Sequence, residues 1–268
     1  MPFKADARLY DKARRALVRV ASQHQVKLRQ TYVRVGKKAL LKQSRYAVAR
    51  QGRRAQKQTR TLRTYLGRVI RDLERKLQPL PATVQPLLER AKQIHRQKKN
   101  DKGKCYSVHA PEVECIAKGK VHKAYEFGCK VVVVATSYSN WIVGIAAQHG
   151  NPYDGATLDP ALSQVQRLTG VSPLQATVDR GFRGKEHHPT NVEVLVGDQR
   201  KHTGRLKQLF KRRSAIEPVI GHTKSDHSLG RNYLKGQVGD CINALLAGCG
   251  FNLRKLFHFL MTPVVKPI

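Results

Sequence analysis

Acidic residues are scarce in this chain: 18 Asp and Glu stand against 51 Lys and Arg in 268 residues, a formal charge of +33. The excess is uneven, with 28 basic and 5 acidic residues in positions 1 to 100 and 23 and 13 in the rest. Such a field attracts polyanions, releases their counterions and makes binding steeply salt-dependent. It does not choose between DNA and RNA. Cysteine is also sparse: Cys105, Cys115, Cys129, Cys241 and Cys249 are odd in number and include no C-x-x-C pair. That excludes a disulfide framework and a zinc ribbon, and Cys105 and Cys115 beside His109 and His122 fit no standard zinc spacing. No stretch approaches the roughly 20 apolar residues of a membrane helix, and the N-terminus carries charge within its first four residues and shows no secretory apolar region. A cytoplasmic protein with reduced thiols is expected. At 40% hydrophobic content the chain can bury a core, which excludes a disordered tail.

Residues from Asp6 to about Arg96 read as helices. Asp6 is placed as an N-cap in preference to a catalytic acid, with Leu9, Ala13, Ala16, Leu17 and Val20 recurring at helical spacing behind it. Thr61 to Leu77 carries an apolar stripe of Leu62, Tyr65, Leu66, Val69, Ile70 and Leu73, ended by Gln78-Pro79. Between these lies Arg50 to Arg60, dense in Arg, Lys and Gln and of one sign, which reads as a DNA-backbone surface or a solvated face. After Lys104 the texture becomes strand-like. Strands are expected at Tyr106–Val108, Tyr125–Ser137 and Asn140–Ala147, with Asn140 in a hairpin turn and the four valines at 131 to 134 buried on both faces. A helix from Thr157 to Leu168, a strand ending at Asp179, a strand Val192–Val196, a basic helix from Gln199 and a final helix Asp240–Leu260 come next, the last packed on the core with His258 partly buried. The class is α/β.

Two carboxylates sit in unusual company. Asp179, in V-D-R-G-F-R-G, closes an apolar strand and is followed by Gly181 and Gly184, so it is exposed at a strand end. By itself it is equally a cap for the turn before Gly181. Glu217, in R-R-S-A-I-E-P-V-I-G-H-T-K, lies 38 residues on in a basic segment; by itself it is a surface partner for Arg213. On one continuous helix Phe210, Arg213, Glu217 and Lys224 would share a face, although Pro218 removes a donor and disfavours helix at Glu217.

The spacing aromatic-x2-Arg-x3-Glu-x6-Lys resembles the YREK signature of bacterial insertion-sequence transposases of the DDE class, with Phe210 in place of Tyr. H-A-P-E-V-E-C-I-A-K-G-K from His109, Y-E-F-G from Tyr125, G-N-P-Y-D-G from Gly150, V-D-R-G-F-R-G, and G-R-N-Y-L-K-G from Gly230 resemble further blocks of that family. So do A-D-A-R-L-Y and L-R-Q-T-Y near the start. The resemblance implies an RNase H-like catalytic core missing its first strand (105–235), a preceding basic helical region inserted in that fold (1–104) and a C-terminal helix packed on the core (236–268). Asp179 matches the second and Glu217 the third of three metal-binding acids. No residue matches the first, so the chain is expected to be the C-terminal part of a transposase, with cleavage impaired.

The resemblance further implies a nucleoid-associated bacterial protein that acts on double-stranded DNA at terminal inverted repeats, with a homodimer as an allowed assembly. Asp179 and Glu217 would hold Mg²⁺ or Mn²⁺ in a two-metal arrangement, ions about 3.5–4 Å apart, for DNA cleavage and strand transfer. Arg213, Lys224, Arg180 and Arg183 would contact DNA, and Asp154 and Glu114 are the other acids placed to reach the metals. A basic nucleic-acid-binding protein without catalysis is the alternative.

Overall fold

The computed structural model describes residues 4–98, 100–117, 125–197 and 203–261, the side chains of residues 4 and 5 excepted. The chain divides into two compact units, Met1–Cys115 and Ile116–Ile268.

The first unit is built on four helices, α1 (Lys4–Gln23), α2 (Val33–Val48), α3 (Gly52–Lys76) and α4 (Gln85–Arg96). Their apolar residues recur every three or four positions, so each helix presents a stripe, and the stripes meet in one core. Leu17, Leu62, Leu66, Val69, Leu73, Leu88 and Ile94 are buried there. Each such side chain contributes about 1.5–3 kcal/mol relative to exposure. The expected stripe of α3 is the buried one, and the helix stops at Lys76 with Leu77 as its C-cap, one residue before Gln78-Pro79. The opposite side of its first half is cationic: Arg53, Arg54, Lys57 and Arg60 are exposed, as is the preceding Arg50. Two expectations fail here. Asp6 lies inside α1 and is not its cap; burial, opposed by the Lys104 charge, raises its carboxyl pKa. Residues 106–108 form no strand. Instead Cys105 and Val108 enter the helical core, tied to α4 by a two-point pairing of the Gln97 amide with the Cys105 peptide and by Arg90 Nη1 donating to the Val108 carbonyl at 2.6 Å.

The helical core also contains charge. Arg14 and Asp11 are buried, and Arg14 Nη2 donates to Asp11 Oδ1 at 2.7 Å while its Nη1 donates to the Thr31 carbonyl at 2.7 Å. Gly36 makes room for this guanidinium, since a Cβ there would lie 3.0 Å from Arg14 Nη2. Asp72 ties the loop after α1 to α3: it accepts the Arg29 backbone N–H at 2.6 Å and faces Lys76 and Arg75. Burial raises the Asp72 carboxyl, but these donors and cations outweigh it and leave its pKa lowered.

The second unit is mixed α/β. Strands β1 (Glu114–Ala117), within which the boundary between the units falls, and β2 (Tyr125–Gly128) form one two-stranded sheet, β3 (Lys130–Ala135) and β4 (Ile142–Gln148) an antiparallel hairpin, and β5 (Gln175–Val178) and β6 (Glu193–Val196) a parallel pair. Helices α5 (Leu158–Thr169), α6 (Gly204–Arg213), α7 (Ile216–Asp226) and α8 (Gly236–Met261) complete it. Asn140 turns the hairpin in the left-handed region, φ 53°, as expected of Asn in a tight turn. The strand expected from Tyr125 to Ser137 breaks after Gly128, whose φ of 151° no side-chain-bearing residue readily adopts. Its valines are half-buried on both faces, because a two-stranded sheet covers them incompletely. Residues 198–202, where the basic helix is expected to start, lie outside the described residues; α6 begins at Gly204. Helix α8 packs on β4 and α7 through small residues, Ala244, Ala247 and Gly248, leaving Leu246, Leu253, Phe257 and Leu260 exposed. His258 is exposed too, on that uncovered part of the helix.

Candidate functional site

Asp179 follows β5 directly, so the carboxyl end of a parallel strand carries it into solvent. It caps the short 3₁₀ turn Arg180–Phe182, its Oδ1 accepting the Gly181 N–H at 2.8 Å. The cap is therefore real, and it uses only one oxygen; Oδ2 has no hydrogen-bond partner among the described residues. A second carboxylate arrives from the G-N-P-Y-D-G block. Asp154 Oδ2 lies 2.5 Å and Asp179 Oδ1 3.0 Å from the point where a Cβ on Gly181 would sit, so the two oxygens are no further apart than the sum of these distances. Only glycine leaves that point empty. Asp154 is steadied by Lys130, the first residue of β3, whose Nζ donates to Asp154 Oδ1 at 2.8 Å and to the Pro152 carbonyl at 2.5 Å. Tyr153 completes the link between the two blocks, its hydroxyl accepting the Gly184 N–H at 3.1 Å. Arg180 and Arg183 are exposed beside the pair.

The other acid is placed differently. A continuous helix through Glu217 does not form: α6 ends at Arg213, residues 214–215 make a turn, and α7 starts at Ile216. The cause is Pro218. Lacking an N–H, it cannot bond the Ser214 carbonyl, which instead accepts from Glu217 at 3.2 Å, and proline is tolerated because it falls in the first turn of α7. Phe210 and Arg213 thus belong to one helix and Glu217 and Lys224 to the next, correcting the single shared face. Phe210 is buried and α6 packs against β5, the strand that leads to Asp179. Arg213 is half-buried, with its Nε buried and unpartnered among the described residues, and it makes no ion pair with Glu217. Glu217 is exposed in the first turn of α7, where the helix dipole favours a carboxylate, and Lys224 is exposed two turns on.

The far end of α7 is fixed by Asp226. It accepts from Ser225 Oγ at 2.5 Å and from Arg254 Nη1 on α8 at 2.6 Å, and faces His222 Nδ1 at 3.1 Å. The hydrogen bonds of Ser225, His222 and Arg254 push its pKa down to about 2 from an ordinary 3.8. A carboxylate with a depressed folded-state pKa stabilises fully above the ordinary value and loses that contribution as pH falls through the folded one. Thermal unfolding followed from about pH 5 to pH 2 should therefore show an acid-dependent fall in midpoint between about pH 4 and 2 that Asp226→Asn flattens. An identical pH profile in the variant would rule out this anchor as its source.

Sequence reasoning ranks Asp154 low and misses Lys130 and Tyr153. The signal is present in G-N-P-Y-D-G, whose glycines and proline fix a turn, but the partner block is not inferable from spacing. Four hard oxygens on Asp154 and Asp179 fit Mg²⁺ or Mn²⁺ by donor type. The Cys105, Cys115 and His109 grouping forms no ligand cluster among the described residues, and His122 lies outside them. No family model, curated protein or solved structure matches this chain.

Proposed function

We propose that the chain acts on DNA as a DDE-class transposase does, by metal-dependent phosphoryl transfer at the carboxyl end of β5. The observation that carries this reading is the convergence of Asp154 and Asp179 on the empty Cβ position of Gly181. Asp179 and Asp154 would hold Mg²⁺ or Mn²⁺, with Glu217 from α7 as the further ligand. Bound there, such ions supply charge neutralisation at the scissile phosphate and an activated water. The chain's own part is positional: Lys130 steadies Asp154, the Gly181 N–H orients Asp179, and Arg180, Arg183, Arg213 and Lys224 offer cations to the DNA backbone. The antiparallel β3–β4 hairpin and the parallel β5–β6 pair support reading this unit as an RNase H-like sheet without its opening strand.

A second reading, DNA binding without catalysis, is favoured by the Lys130 ion pair, which already neutralises Asp154, and by Glu217, whose carboxylate forms no three-ligand cluster with Asp154 and Asp179 among the described residues. Nicking of supercoiled plasmid in Mn²⁺ separates the two. Metal-dependent breakage should fall by at least about 100-fold in Asp179→Asn and Glu217→Gln. It should also fall in Gly181→Ala, whose methyl displaces Asp154 without removing a carboxylate. Breakage absent from the native chain, or unchanged in Asp179→Asn, would leave the binding reading alone.

A further inference from the structure

The open end of the β3–β4 hairpin gathers a second set of ligand-type side chains, none of which belongs to the acidic site. Register explains two of them. Lys130 pairs with Gln148 at the last rung of the ladder, so Cys129 and His149 are the next residues outward on the two strands. Their side chains meet, Cys129 Sγ lying 3.6 Å from His149 Nδ1 and 3.9 Å from Nε2. Helix α8 supplies the third. Its Asn252 is clamped to Ile142 at the start of β4, the amide accepting the Ile142 N–H at 3.0 Å and donating to its carbonyl at 2.8 Å. Going back twelve residues along the helix covers about 18 Å, and seven residues along β4 cover about 23 Å. Four residues back along the helix Gly248 already packs on Ile145, three residues on along β4, so helix and strand run antiparallel, which brings Asp240 to the hairpin's open end. A ligand atom of each of Cys129, His149 and Asp240 lies within 4.8 Å of the others, and all three residues are half-buried.

The geometry points to a transition-metal site, Zn²⁺ by donor chemistry, formed by Cys129, His149 and Asp240. Tetrahedral zinc with Zn–S of about 2.3 Å and Zn–N of about 2.0–2.1 Å holds sulfur and nitrogen about 3.6 Å apart, which is the separation seen between Cys129 and His149. Thiolate, imidazole and carboxylate together suit zinc over magnesium or manganese, which seek oxygen alone. Three protein ligands leave the fourth position to water. The carboxylate is pre-oriented: Asp240 Oδ1 accepts from Asn232 Nδ2 at 2.7 Å, the kind of outer hydrogen bond that aims a metal ligand. Asn232 belongs to the G-R-N-Y-L-K-G block, and its Oδ1 in turn accepts the Leu234 N–H at 2.8 Å, so this motif gains a task that the acidic site does not give it. The competing explanation is a thiol that is simply hydrogen-bonded, since Cys129 Sγ also approaches the carbonyls of Lys130 at 3.3 Å and Gln148 at 3.4 Å.

Titration of the full chain with Co²⁺ as a spectroscopic stand-in for Zn²⁺ decides between them. The expected result is a stoichiometric visible spectrum of tetrahedral type with a near-ultraviolet thiolate charge-transfer band, displaced by Zn²⁺, and a thermal midpoint that rises with Zn²⁺. Cys129→Ser should abolish the charge-transfer band, while Cys241→Ser and Cys249→Ser, which alter exposed thiols on α8, should retain it. Asn232→Ala, which keeps every ligand, should weaken binding about 10–100-fold. A native chain with no charge-transfer band would overturn the site, as would a band that survives Cys129→Ser or is lost in Cys241→Ser. The native spectrum alone suffices if a variant fails to fold.

Discussion

Replacing Asp11 by Ala is expected to destabilise the helical unit by about 3–5 kcal/mol, the cost of leaving a buried guanidinium without its counter-charge. Arg14 is 1% exposed and Asp11 3%, so neither can turn to water when the other is removed. The Thr31 carbonyl would remain as an acceptor for Arg14, but the Arg14 Nε already lacks a partner among the described residues, which makes the loss harder to absorb. Thermal unfolding of the full chain should show the helical transition lowered by roughly 10–20 °C. The double variant Asp11→Leu with Arg14→Met should recover much of this, because apolar residues of similar size often replace a buried pair without loss. A single variant that unfolds like the native chain would mean that the buried Arg14 guanidinium does not depend on Asp11 for its counter-charge.

The second large effect is expected on the proposed binding of DNA. Arg50, Arg53, Arg54, Lys57 and Arg60 are exposed together at the start of α3, on the side away from the buried Ala55, Thr59 and Leu62. Anisotropy of a labelled duplex should show affinity falling about 10³-fold or more between about 50 and 200 mM salt. Changing these five residues to Gln should lower the log–log salt slope by about 4. Neutralising Arg205, Lys207, Lys211 and Arg212, equally exposed on α6, should lower it by less. The same loss of slope per charge removed from the two sets, five and four residues, would show that binding follows total charge, with no privileged surface on α3.

The helical stripes were legible because one face of each helix is continuous: Leu62, Leu66, Val69, Ile70 and Leu73 carry the same message in composition and in packing. Arg14 was not, although it stands four residues after Tyr10 and three before Leu17, on the buried stripe of α1. Charge suggested solvent, and nothing local announced that Gly36 on the next helix leaves space for it. The strand ending at Asp179 was legible from its apolar run and the glycines behind it. Its companionship with Asp154 was not, because 25 residues and a helix separate them in sequence. The failed helix through Glu217 has a local cause, a missing N–H at Pro218, and the sequence pointed to that residue. Where the break falls depends on which carbonyl finds another donor.

Two side-chain amides, one from α5 and one from α8, act as pieces of a strand against β4. Asn252 pairs with both peptide groups of Ile142, and Gln164 does the same at Ile145, accepting its N–H at 2.8 Å and donating to its carbonyl at 3.1 Å. The peptide groups that would otherwise recruit a neighbouring chain are thereby occupied at two points along a short strand. Growth of this sheet by self-association along the first half of β4 is thus opposed, since an intermolecular strand pairing at Ile142 and Ile145 would have to displace four hydrogen bonds.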